Sequence, residues 1–251
     1  MKKILYQIAA AITFFTRIPL WILMDIPKEN YRKIICFWSL TGWITGGITA
    51  VAFLGFSMLF PPILAIILAL MIRLLLTGGF HEDGLGDFID GFGGGKTKAD
   101  ILRIMKDSHI GSYALIGMIF YYLMLINTLT SIPKELIATV LLVGDPLSKF
   151  LSVIMMNLLP YARTESESKS KTLYDKLNPF RLIIACFFGI IPISFFLDEI
   201  LWISMLAPLL VMIFMYYYSK KKIGGYTGDI CGATALLCEL SFIISIYLQS
   251  R

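Results

Sequence analysis

Seven apolar runs, most of them about 18 residues or longer, constrain this chain more than any other feature. They cover residues 34–59, 63–77, 110–131, 136–159, 180–197, 200–218 and 230–248. Inside a bilayer such runs satisfy their own backbone groups only as helices. The expected fold is therefore all-α, a polytopic integral membrane protein with about seven transmembrane helices. The second run is short, and Pro61-Pro62 sets it close behind the first. The bulk numbers agree, with 57% of the 251 residues hydrophobic, 16% charged and a mean hydropathy of +0.78. A soluble domain of this size rarely has that balance. No stretch reads as a soluble domain, so residues 1–251 are expected to form one membrane-embedded unit.

The N-terminus does not read as a cleaved signal peptide. Lys2-Lys3 and the apolar stretch to Phe15 imitate its first regions, but Arg17-Ile18-Pro19 stands where small residues would be needed. Residues 4–16 are too short to span and fit an interfacial or re-entrant helix. Eighteen of the 22 Lys and Arg lie in segments on the N-terminal side of the expected membrane, against Lys134 and Arg251 on the other side. Arg73 and Lys149 lie within spans. The positive-inside rule then places the N-terminus in the cytoplasm and the C-terminus outside a cell membrane. The net charge of +5 is thus a topology signal. No basic patch with interleaved aromatics accompanies it, so nucleic acid is not an expected partner. Cys36, Cys186, Cys231 and Cys238 have neither metal-ligand spacing nor a disulfide framework and read as core filler.

All chemically interesting stretches fall on the cytoplasmic side of this topology. The densest is Gly78-Gly79-Phe80-His81-Glu82-Asp83-Gly84-Leu85-Gly86-Asp87-Phe88-Ile89-Asp90-Gly91. If it is helical, Asp83, Asp87 and Asp90 fall at i, i+4 and i+7 on one face. Carboxylates so placed repel one another unless a cation sits among them. Oxygen-only ligands point to a hard ion such as Mg²⁺, which also binds substrate phosphates. Glu82, Asp83, Asp87 and Asp90 are the candidate ligands, and His81 is a candidate ligand or proton carrier. The bland alternative, a solvated acidic loop, fits the glycine and aromatic setting poorly.

Gly93-Gly94-Gly95 follows, read as a loop whose bare N–H groups approach a ligand. Thr97 to Asp100 resembles a capping box, opening a short amphipathic helix to about Lys106 with Ile101, Leu102 and Met105 on its apolar face. That helix would bring Lys106, Asp107 and Ser108 back toward the carboxylates, where Lys106 and the glycine amides would hold phosphate oxygens. Arg163 beside Pro160-Tyr161 is either a phosphate contact or a topology anchor. Lys220 to Lys222 read as an anchor, and 164–171 as a mobile cytoplasmic loop. The outer connections, around Pro61, Pro133 and Asp198, are too short to hold a site. Gly78-Gly79-Phe80-x-x-Asp83-x-x-Gly86 has a weak echo in Gly224-Gly225-Tyr226-x-x-Asp229-x-x-Gly232, which is either a duplicated half or chance. If it is real, Asp229 lies near the same pocket.

The acidic block through Gly95, followed by Ile104-Met105-Lys106-Asp107-Ser108-His109-Ile110-Gly111-Ser112-Tyr113, resembles the signature of the cobalamin synthase family, the adenosylcobinamide-GDP ribazoletransferases. Phe15 to Pro19, Leu159 to Arg163, Gly228 to Thr234 and Glu239 are similar to the same family, and the likeness runs from about residue 10 to residue 245. The resemblance implies an integral membrane, Mg²⁺-dependent enzyme. A hydroxyl of α-ribazole, or of its 5′-phosphate, attacks the cobinamide-linked phosphate of adenosylcobinamide-GDP. GMP leaves and adenosylcobalamin or its phosphate forms. Two positions depart from the pattern, with His109 and Lys149 standing where Arg is expected; both keep a possible positive group.

In such a reaction positioning and electrostatics dominate. One or two Mg²⁺ ions on Glu82, Asp83, Asp87 and Asp90 would bridge diphosphate oxygens. One carboxylate, Asp90 or Asp87, would instead take the hydroxyl proton. Lys106, Arg163 and Arg17 would bind the nucleotide phosphates. The partners implied are adenosylcobinamide-GDP, α-ribazole and the lipid bilayer, with a homo-oligomer or docking of other pathway enzymes as a further hypothesis. Two rival readings exist. A CDP-alcohol phosphotransferase is suggested by Asp87-x-x-Asp90-Gly91 but lacks that family's remaining Asp residues. A transporter would need more mid-span acids than Asp145 and Glu239.

Overall fold

A computed structural model describes residues 2–163, 175–196 and 199–251. The expected loop over 164–171 and the expected connection at Asp198 lie outside the described residues. Among the described residues ten α-helices follow one another: α1 (Lys2–Phe15), α2 (Trp38–Phe56), α3 (Pro62–Thr77), α4 (Phe80–Gly94), α5 (Lys98–Ile104), α6 (Ser112–Ser131), α7 (Lys134–Leu158), α8 (Pro179–Phe196), α9 (Leu206–Ile223) and α10 (Gly228–Gln249). Short 3-10 stretches precede α2 and α9, and the only strand-like pairing described is an isolated bridge between Tyr161 and Tyr226.

Each of the seven expected apolar runs contains an α-helix, and those over 34–59 and 200–218 open in 3-10 stretches. Five segments are long and apolar enough to cross a membrane: Lys28–Phe56, Ser112–Ser131, Lys134–Leu158, Trp202–Ile223 and Gly228–Gln249. α3 and α4 meet that standard only together, as a pair bent by 91°, which brings the number to six. α8 falls among the shorter apolar helices. α1, at 14 residues, extends about 21 Å, less than the roughly 30 Å of a hydrocarbon core. It buries Ala9, Ala10, Ala11 and Phe15, and Phe15 stacks on Trp38 with ring centroids 5.0 Å apart. α9 runs past its expected end at 218 through Lys220, Lys221 and Lys222, whose long stems let a helix continue while their charges stay wet.

Glycine sets the close approaches in the bundle. α2 packs along α7, and a Cβ added at Gly46 would lie 2.7 Å from the Leu141 carbonyl oxygen. α4 packs along α10, and a Cβ at Gly84 would lie 2.8 Å from the Asp229 carbonyl oxygen. The sharpest feature is the elbow between α3 and α4. Gly78 and Gly79 both have φ +71°, a left-handed conformation that costs glycine nothing and a residue with a Cβ a good deal. This elbow bends the chain by 91° between α3 and α4. The echo at Gly224 repeats one part of it: Gly224, φ +73°, caps α9 in the same way before α10 begins.

Candidate active site

The segment from Phe80 to Gly94 is helical, so Asp83, Asp87 and Asp90 do share a face of α4. Together with Glu82 they line an open cavity of about 770 Å³. The facing walls come from Arg17, from the elbow glycines, and from Asp107, Ser108 and His109 in the loop between α5 and α6. Arg17 is held by its backbone N–H, which donates to the Leu76 carbonyl at 2.7 Å. Its guanidinium lies over the elbow, where a Cβ at Gly78 would meet its Nε at 2.5 Å. The elbow glycine therefore serves twice, for its backbone angle and for the room it leaves Arg17. Asp83 is exposed and Asp87 half-buried.

The loop arriving from α5 is ordered by two local motifs. Thr97 and Asp100 form the expected capping box, and the Thr97 hydroxyl holds the Asp100 carboxyl below the usual carboxylate range. Ile101 and Met105 are buried, as the amphipathic pattern requires. Asp107 Oδ1 accepts the His109 backbone N–H at 3.0 Å and lies 2.6 Å from His109 Nδ1. That side-chain bond holds the Asp107 carboxyl low as well.

Several expected site residues have other tasks. Asp90, 9% exposed, accepts N–H groups of Gly111 and Ala114 at 2.6 and 2.8 Å, one on each oxygen. Both oxygens are engaged in closing the N-terminus of α6, a use of charge-assisted bonds that competes with a role as base or metal ligand. His81 does not line the cleft; it is buried, stacked on Trp38 at 5.7 Å. Gly93 and Gly94 are not a loop. They form the last turn of α4, where the Tyr113 ring packs so closely that a Cβ on Gly93 would touch it at 3.0 Å. Only Gly95 leaves the helix, and its N–H is taken by the Gly91 carbonyl. Lys106 is exposed and does not line the cavity. Arg163 is buried away from the cavity, donating to the Leu102 carbonyl at 3.4 Å and lying 3.6 Å from Asp229 Oδ2. With the paired backbones of Pro160, Ala162 and Tyr226, it clasps α5 to the start of α10. Asp229 is thus a partner of Arg163 and not a wall of the cleft.

A second polar group joins four residues that the sequence shows only singly. Arg73, Asp145, Lys149 and Glu239 are buried within spans and paired with one another. The signal was present, because ionisable residues inside apolar runs mark functional or structural sites.

The fit of a divalent cation can be tested on the donors. Among the described residues no three carboxylate, imidazole or thiolate groups converge as a preformed metal cage. The cleft does offer hard oxygen donors on one open wall. Such a set suits Mg²⁺, which commonly takes one or two protein carboxylates and completes its shell with water and substrate phosphates.

Fold and cleft define a class: a multi-pass helical membrane protein with an acidic cavity lined by α4 and the glycine elbow before it. Comparison with known proteins narrows this. The cobalamin-5-phosphate synthase family matches residues 7–247, and the chain belongs to that family. It is 35% identical over 250 residues to the adenosylcobinamide-GDP ribazoletransferase of Leptospira interrogans, covering 96% of this chain and 94% of that one. The protein of the same description from Shewanella woodyi is 34% identical, covering 92% and 91%, and that from Clostridium novyi 33%, covering 94% of each. No solved structure matches the chain.

Proposed function

We propose that the chain is an adenosylcobinamide-GDP ribazoletransferase, joining α-ribazole or its 5′-phosphate to the phosphocobinamide group and releasing GMP. The observation that carries this reading is the family match across nearly the whole chain, with relatives of that description covered almost end to end. The cleft supports it. It brings the Arg17 guanidinium, Glu82, Asp83 and Asp87 of α4 and the Ser108–His109 loop to one cavity large enough for a nucleotide diphosphate.

Glu82 and Asp83 would hold Mg²⁺ with water and phosphate oxygens. When bound, the ion supplies neutralisation of the diphosphate charge. Arg17 binds phosphate oxygens as a two-pronged donor. The ribazole hydroxyl oxygen forms a bond to the cobinamide-linked phosphorus while the P–O bond to GMP breaks. Its proton passes to Asp87, which remains the suitable acceptor because Asp90 has both oxygens engaged and His81 faces inward. Ser108 and His109 line the side of the cleft facing α4 and would contact the nucleotide phosphates. The distribution of Lys and Arg supports a cell-membrane location with the N-terminus cytoplasmic and the C-terminus outside.

The test is direct. Membranes containing the protein are supplied with adenosylcobinamide-GDP, α-ribazole and Mg²⁺, and corrinoid product is followed by mass. Adenosylcobalamin should form only with all three present. Product from a CDP-alcohol instead would overturn the proposal.

A further inference from the structure

Behind the wall of the cleft lies a second cavity of about 10 Å³, lined chiefly by Arg73, His81, Glu82, Asp145, Lys149 and Glu239. Thr77 and Glu82 border both cavities, so they form the partition between them. The charges behind it are closely paired. Arg73 on α3 donates to Glu239 Oε1 on α10 at 2.5 Å. Lys149 lies 2.6 Å from Asp145 one turn earlier on α7, and 2.7 Å from the Thr45 hydroxyl on α2, which itself donates to Asp145. Four helices thus converge on α4 from behind.

Two atoms facing this group are left over. His81 Nε2 and Glu82 Oε2 are buried and have no hydrogen-bond partner among the described residues. The Tyr121 hydroxyl, within electrostatic reach of Arg73, Glu239 and Glu82, is a third. Buried polar atoms in native proteins are nearly always satisfied, by protein or by ordered water. A cavity of about one probe sphere, walled by several polar groups, has the size and chemistry for one water molecule. Water suits both acceptors, since it donates to the carboxylate and serves either tautomer of the imidazole.

We propose that one water molecule occupies this inner cavity, bridging Glu82 Oε2 and His81 Nε2, and that the Arg73–Glu239 and Lys149–Asp145 pairs are positioning residues that hold Glu82 in the cleft wall. None of the four touches substrate; they act through Glu82. The inference rests on the proposed function only in counting Glu82 as part of the reacting cleft.

The experiment uses the full-length protein in lipid nanodiscs. A high-resolution structure should show density for one water within hydrogen-bonding distance of Glu82 and His81; an empty cavity overturns the inference. Glu239→Gln keeps a hydrogen-bond acceptor for Arg73 and removes the charge. Its kcat should fall about tenfold or more, as when outer partners of a reacting group are lost. The KM for adenosylcobinamide-GDP should stay within about threefold, and the Tm should fall as well, because Arg73 is left as a buried cation without its counter-charge. A lowered Tm with unchanged kcat would mean that the pairs serve only the bundle. Should Glu239→Gln fail to insert, Thr45→Val reads the same split after removal of a single hydroxyl. An inactive wild-type protein in the same assay would remove the proposed function, and the water would still be testable by structure.

Discussion

Asp83 and Asp87 face the open cleft from successive turns of α4, whereas Asp90 gives both carboxylate oxygens to the backbone of α6. The three aspartates should therefore respond differently to loss of charge. Asp83→Asn and Asp87→Asn should each lower turnover more than about a hundredfold, the scale of losing a charged group that acts in the transition state, while leaving thermal stability intact. Asp90→Asn should instead lower stability by about 3 kcal/mol, because it loses charge-assisted bonds and turns an amide toward a backbone N–H. Turnover and melting temperature measured on the same purified variants check both outcomes. The shared face of the aspartates was legible in their spacing. The task of Asp90 was not, because its partners lie 21 and 24 positions away, in a glycine-started helix whose angle of approach is set by packing. Arg163 gives the same lesson. Its charge stood out beside Pro160-Tyr161, but Asp229 and the Leu102 carbonyl, which claim it, are distant in sequence.

Helix existence was easier to read than helix contact. The apolar runs marked α2, α3, α6, α7, α8, α9 and α10, and the capping box marked α5. The glycines were misread where glycine has two uses. Gly93 and Gly94 read as a phosphate-holding loop, yet they stay helical because the bare face of the last turn accepts the Tyr113 ring. Propensity alone would disfavour glycine there, and tertiary packing overrides it. The same ambiguity makes a test of close approach. Gly84→Ala would push a methyl against the Asp229 backbone, which cannot move aside without shifting α10, and should cost about 1–3 kcal/mol. Gly55→Ala on α2 meets nothing within 4 Å and should be neutral or stabilise by about 0.5–1 kcal/mol. Comparing the Tm of the two variants separates packing from propensity.

For the whole molecule, the asymmetry of its cations makes a topological prediction. A cysteine placed at Lys134, the first residue of α7, should react with a membrane-impermeant maleimide on intact cells; one at Lys220 should react only after permeabilisation. Of the four native cysteines, Cys36, Cys231 and Cys238 are buried and give little background, and the half-buried Cys186 is replaced by serine for the test. The reverse pattern would invert the orientation and place the cleft outside.

The Arg73–Glu239 pair joins positions 166 residues apart, on the second and the last of the apolar runs. A nascent chain therefore inserts its arginine long before the matching glutamate leaves the ribosome. Until α10 arrives, the half-made bundle carries a lone cation in an oily setting, where it is poorly tolerated. Completion of synthesis is thus marked by neutralisation, and chains cut short before residue 239 would expose the mark of their own incompleteness to membrane proteases.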